Sequence, residues 1–250
     1  MRVLAAALAT MFVCACSAPV IPLQLVKRAH PTAAPSGDCA FLTPDAVPRS
    51  GDTGRCGLTL GAGLLLADCV AGTGLATVKE ERYDVSLDDP SSTGPVPRDG
   101  QGCHLAARGD GTADRVGSDL RLPADLVVIA DFQPQTATVH LIRVEFRCTD
   151  RCLVFDVLNE SELDFADGQS GSQPVKIISG AAVDVSETQV NRLVVTASGS
   201  AAEAWLDGHD LGTVQTQQAG PGRAFFAIHG QSSAGPAAVR LLSFQVFQRG

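Results

Sequence analysis

Among the residues whose types and spacing could do chemistry, the carboxylates of Glu162-Leu163-Asp164-Phe165-Ala166-Asp167 come first. Residues two apart on a strand share a face, so Glu162 and Asp164 would stand side by side there. The same three acids also make an ordinary solvated strand face. Cys148 and Cys152 flank Thr149-Asp150-Arg151 between two strand-like runs, which favours a bridge closing a hairpin. A zinc site would need four cysteine or histidine ligands, and no second close cysteine pair accompanies this one. Histidines 30, 104, 140, 209 and 229 have no metal-ligand spacing. Asp88-Asp89 beside Pro90-Ser91-Ser92 offers oxygens of the kind calcium takes, and equally makes an acidic turn. Gly168-Gln169-Ser170-Gly171-Ser172 is one residue off a nucleophile elbow and lacks the helix that must follow one, so it reads as a loop. Gly100-Gln101-Gly102 runs into a cysteine and a strand-like segment rather than into the helix N-terminus a phosphate requires. No cofactor is implied.

Charge narrows the partners. The formal net charge is −8, the only lysines are Lys27, Lys79 and Lys176, and the arginines are scattered, so nothing resembles the basic patch that neutralises nucleic-acid phosphates. With 45% hydrophobic residues the chain can bury a sizeable core.

The start of the chain sets its destination. Arg2, an apolar run from Val3 to Val13 and small residues at Ala15 to Ala18 compose a secretory signal peptide. The run is shorter than the roughly 18 residues needed to span a bilayer, and no later stretch reaches that length. Val13-Cys14-Ala15-Cys16-Ser17 resembles the bacterial lipoprotein box. That resemblance implies a signal over residues 1–15, an acylated Cys16 and attachment to the outer side of the cell membrane; ordinary cleavage near Ser17 or Ala18 would instead release the protein. Residues 16–37 carry Pro19, Pro22, Pro31 and Pro35 and little apolar periodicity, which suits a flexible tether. Either way Cys39, Cys56, Cys69, Cys103, Cys148 and Cys152 remain, an even set suited to disulfides in an oxidising compartment. Beyond Cys148–Cys152, pairing neighbours gives Cys39–Cys56 and Cys69–Cys103.

From Leu120 onward the chain is a succession of short β-like runs. These are 126–132, 138–148, 152–158, 175–178, 192–197, 202–206, 211–215, 223–229 and 239–247, with turn formers between nearly all of them. Within 138–148, Val139, Leu141, Val144 and Phe146 keep a two-residue period apart from one irregular step. Upstream, 58–66 and 103–107 are further strand candidates, expected to supply the first edge strands. Many short strands with no alternating helices favour an all-β antiparallel sandwich, a single domain over residues 38–250.

The segments Asn191 to Gly199, Ala204-Trp205-Leu206-Asp207-Gly208, Gly222 to Phe226 and Val239 to Phe247 resemble the closing half of concanavalin A-like, laminin G-like jelly rolls. The resemblance is best over residues 120–247, and it implies an aromatic-x-Asp-Gly hairpin and a last strand pairing near the first. Laminarinase-type glycosidases of that fold carry E-x-D-x-x-E on one strand. Carried over, Glu162 would be the nucleophile, Asp164 its helper and Asp167 the acid/base, a departure because the family uses glutamate there and the shorter side chain draws back the proton donor. The alignment instead makes Leu163 to Ala166 a short edge strand, and aromatic residues, the usual sugar platforms, are only 5% of the chain. The expectation is therefore a lipid-anchored envelope protein with a non-catalytic jelly roll that binds a glycan or a surface protein. The alternative is a divergent glycoside hydrolase using Glu162, Asp164 and Asp167.

Overall fold

A computed structural model describes residues 39–53, 58–69, 81–84, 98–107, 112–136, 141–158, 162–166, 175–179, 185, 188–229 and 237–250. The signal, the tether, Cys56, Asp88-Asp89, His140, Asp167 and the loop from Gly168 to Ser172 lie outside the described residues. Its strands, in chain order, begin with β1 (Leu60–Asp68), β2 (Glu81–Asp84), β3 (Arg98–Asp99), β4 (Gly102–Ala107) and β5 (Thr112–Leu122). Then follow β6 (Leu126–Pro134), β7 (Leu141–Cys148), β8 (Leu153–Leu158), β9 (Glu162–Ala166) and β10 (Val175–Ser179). The closing strands are β11 (Asn191–Ser198), β12 (Ala201–Leu206), β13 (His209–Gln215), β14 (Gly222–His229) and β15 (Ala237–Arg249).

They form two antiparallel sheets. The first runs β13-β12-β11-β6-β15-β4-β3, with β1 on the later half of β15, and the second runs β10-β9-β8-β7-β14-β5-β2. Between them the inner faces bury one core: Leu126, Val128, Ala130 and Phe132 of β6 meet Ile142, Val144 and Phe146 of β7, with Phe132 and Phe226 ring centroids 5.7 Å apart. The last strand pairs with the first, as the jelly-roll resemblance implies. The Asp207-Gly208 hairpin is present too, both residues having positive φ (49° and 83°), which aspartate tolerates and glycine adopts freely.

Hydrophobic patterning records what lies on each sheet's outer face. Strand β6 is apolar without interruption from Leu126 to Ala130 because both of its faces are covered. Its outward residues Val127 and Ile129 join Val194, Trp205 and Phe247 in a second cluster sealed by Cys39, Phe41, Leu42, Leu58 and Leu60. Residues 39–53 and 58–60 thus lie over the first sheet as a cap rather than serving only as edge strands. Arg192 pins it: Nε and Nη2 donate to Asp131 at 2.5 and 2.7 Å, and Nη1 lies 3.0, 2.6 and 2.7 Å from the carbonyls of Phe41, Thr43 and Ala46.

Two expectations need correction. In β7 the core face belongs to Ile142, Val144 and Phe146, while Leu141 is only half-buried and sits in register with His229. The irregular step falls at the apolar pair Leu141-Ile142, of which Ile142 is the inward residue. Strand β9 is not at the edge, since β10 pairs with it from Val175↔Phe165 to Ser179↔Glu162. The short run 175–178 gave no hint of where it would dock.

Strands β2, β3 and β5 escaped sequence reading altogether. In β5 the outward positions carry Arg115 and Gly117, and Asp114 spends its carboxylate on the Ala106 N–H at 2.6 Å, which erases any hydrophobic alternation. Of the cysteines, Cys69–Cys103 and Cys148–Cys152 are bonded as expected. Cys39 is also disulfide-bonded, and its expected partner Cys56 lies outside the described residues.

Candidate functional site

The outer face of the second sheet carries charge where that of the first carries a cap. Ladder register lines up one row across it: Glu81, Arg115, Ala227, Arg143, Asp156, Asp164 and Lys176 stand opposite one another on successive strands. The neighbouring row holds Gly117, Phe225, Glu145 and Val154. Of these, Arg115, Ala227, Arg143 and Asp156, with Gly117, Phe225, Glu145 and Val154, are the outward residues of strands whose inward residues fill the core, because the period of two delivers them to the same side.

Their side chains bind one another. Arg143 grips Asp156 side-on, Nε to Oδ1 at 2.6 Å and Nη2 to Oδ2 at 2.8 Å. Arg115 Nη1 donates to Glu145 Oε2 at 3.0 Å, and Arg143 Nη1 lies 3.9 Å from Glu145 Oε1. The small side chain of Ala227 lies between the two arginine positions in the row. These groups are partly shielded: side-chain exposure is 13% for Arg115, 11% for Glu145 and Asp156, and 26% for Arg143. At such depth, charge-assisted hydrogen bonds are stronger than in open water.

Phe225 is an aromatic residue of this floor. Its ring lies against Gly117, where an added Cβ would stand 2.1 Å from the ring, and the Arg115 guanidinium sits 3.7 Å above its centroid. Phe225 is therefore 3% exposed, with one face already occupied by a cation, so it offers no open platform for a sugar ring. Trp205 is on the other sheet beneath the cap.

His229, at the end of β14, faces this network. Burial, followed by the nearby Arg143 and Arg115 guanidiniums, pushes its pKa down to about 4, and its buried Nε2 has no hydrogen-bond partner among the described residues. The unfolded imidazole protonates near 6.5, so between about pH 6.5 and 4 the unfolded chain holds the extra proton. Stability present above pH 6.5 should drain away as pH falls to 4, by at most about 3 kcal/mol. Denaturant melts of His229→Gln across that window should have a visibly flatter pH profile; an unchanged slope would refute the assignment.

The acids that the hydrolase alternative requires are only partly accounted for. Position 162 falls opposite Leu158 and position 164 opposite Asp156, in the charged row, while Asp167 lies outside the described residues. The carboxylates that the structure does place there, Glu145 and Asp156, were missed by sequence reading, although the pattern Arg143-x-Glu145 and Asp156 at alternating strand positions carried the signal. Both are held by guanidiniums, so neither is set up as a proton donor.

The metal-ligating types that come together among the described residues are Glu145, Cys148 and Cys152, with ligand atoms within 4.8 Å of one another. The two sulfurs are bonded to each other, which leaves no thiolate pair for an ion. His104 instead shares a 2.7 Å hydrogen bond with Asp99, which, with Gln101 N–H, holds the Asp99 carboxyl below its usual range.

No protein-family model matches the chain, and no curated protein matches it in sequence. Solved structures do match in three dimensions. One is the carbohydrate-binding module CBM66 from Bacillus subtilis, at 13% identity and TM-score 0.50, covering 62% of this chain and 92% of that one. Another comes from work on endo-acting O-glycanases that prominent human gut microbiota express to initiate mucin breakdown, at 10% identity and TM-score 0.54, covering 74% and 99%. A third is Bacillus licheniformis beta-glucanase, at 10% identity and TM-score 0.52, covering 75% and 99%. At such identities the likeness is one of fold, the concanavalin A-like jelly-roll sandwich.

Proposed function

We propose that this is an exported envelope lipoprotein, anchored at Cys16, whose jelly roll binds a glycan without cleaving it on the outer face of the second sheet. The observation that carries this reading is the contrast between the two outer faces. One is covered by Cys39, Phe41, Leu42, Leu58 and Leu60, and the other presents a half-shielded array of fixed donors and acceptors. Carbohydrate-binding and carbohydrate-cleaving proteins among the structural matches favour a sugar over a protein as the partner. The ion-paired state of Glu145 and Asp156 favours binding over hydrolysis.

The position of the cap also suits an anchor. Cys39, the first described residue after the tether, is buried over the first sheet. A lipid at Cys16 would hold the domain near the membrane through the tether of residues 16–37, on the side where Cys39 enters the cap.

The test is affinity electrophoresis of the full chain in detergent against a panel of polysaccharides, with reducing ends assayed in parallel. Retardation by at least one glycan with no new reducing ends is expected. Retardation by none, or sugar release that disappears in Glu162→Gln, would overturn the reading. Mass spectrometry of the mature protein should find acylated Cys16, and an unmodified terminus at Ala18 would rule out the anchor.

A further inference from the structure

We infer that the floor of the second sheet takes a neutral, hydroxyl-rich sugar, read by Arg143 together with the carboxylates of Glu145 and Asp156. This rests on the glycan-binding reading above and narrows the class of ligand. A site for a uronate or phosphorylated sugar needs cationic charge left uncompensated. Here the two shielded guanidiniums of Arg115 and Arg143 face two shielded carboxylates, and each pair is closed at 3.0 Å or less.

His229 adds no charge near neutral pH, because burial and the same two arginines keep its imidazole unprotonated. The whole chain carries a formal net charge of −8. An anionic ligand would have to break existing ion pairs and approach against that field.

A hydroxyl group, in contrast, is a donor and an acceptor at once. The side-on grip of Arg143 on Asp156 uses Nε and Nη2 and leaves Nη1, whose nearest carboxylate oxygen is 3.9 Å away, too far for a hydrogen bond. Nη1 can therefore donate to one hydroxyl while Glu145 or Asp156 accepts from its neighbour, and no ion pair need open. Because the pairs are locked before the sugar arrives, little side-chain freedom is lost on binding.

The experiment uses the full chain in affinity gels containing a neutral β-glucan, a neutral fructan, a polyuronate or a polyamine glycan. Each is run at about 0.05 and about 0.5 M salt, a range over which screening between exposed charges changes severalfold. Retardation by a neutral glycan that is insensitive to salt is expected. It should weaken roughly ten- to a hundredfold when Arg143→Met and Asp156→Leu are made together, a paired replacement that leaves no buried charge alone.

If that pair fails to fold, Arg143→Lys keeps the charge, loses the fork and should weaken retardation in the same direction. Retardation only by the charged glycans, or by neutral ones equally well in either variant, would overturn this inference and leave glycan binding standing. Retardation by none of the four, and by no other polysaccharide, would remove both.

Discussion

Arg192→Met should lower the unfolding free energy by about 3–5 kcal/mol, the cost of leaving a buried charge without its partner. Arg192 is 2% exposed, holds Asp131 by two hydrogen bonds, and serves three carbonyls of the cap. Removing it strands Asp131, whose remaining partner among the described residues is the Ser243 hydroxyl at 3.1 Å, and lets residues 39–53 lift from the sheet. The sole tryptophan reports on this event, because Trp205 is buried in the same cluster. Its emission should shift to the red at denaturant concentrations below the main transition. Adding Asp131→Leu should restore part of the loss, since an apolar pair leaves no charge stranded. A single transition with a loss under about 1 kcal/mol would mean that the cap holds by hydrophobic burial alone.

Arg147→Met should cost a similar amount for a different reason. The Arg147 side chain is fully enclosed and donates to the carbonyls of Ala124, Gly199 and Gln218 at 2.8, 2.8 and 2.6 Å, tying three loops at one end of the sandwich. Its backbone pays for that reach with a φ of 51°, at a bulge where register with β14 slips between Arg223 and Phe225. Gly222 makes the bulge possible, because a Cβ there would stand 2.4 Å from the Arg147 carbonyl carbon. Arg147→Gly separates the two effects: it relieves roughly 1 kcal/mol of left-handed strain yet removes the donors. Arg147→Gly should therefore still be destabilised by several kcal/mol in equilibrium unfolding. A glycine variant as stable as the parent would show that strain outweighs the three hydrogen bonds.

These two arginines mark where reading the sequence stops. Both sit in strand-like runs and look like solvated outward residues, yet each is among the most deeply buried side chains of the chain. Their partners lie 23 to 151 residues away in sequence, beyond any local pattern. The charged floor behaves similarly. Glu145 stands between the inward Val144 and Phe146, a position the strand period can mark as outward, but Arg115 has no such marker because β5 has no hydrophobic alternation. The motif holding Glu162 and Asp164 is contiguous within one strand, whereas the row across the sheet is spread over seven strands.

What the sequence determined by itself was the all-β class, the turn at Asp207-Gly208 and the hairpin bridge Cys148–Cys152, along with most strands from Leu126 to Phe247. Each of these follows from short-range physics: side-chain period, backbone freedom at a turn, and reach across a few residues. Only the tertiary structure decided that a cap covers the outer face of the first sheet while charged residues line that of the second, that β9 is an inner strand, and that four charges on β5, β7 and β8 compensate one another. Those outcomes depend on register between distant strands, and register is fixed by the packing of the whole core.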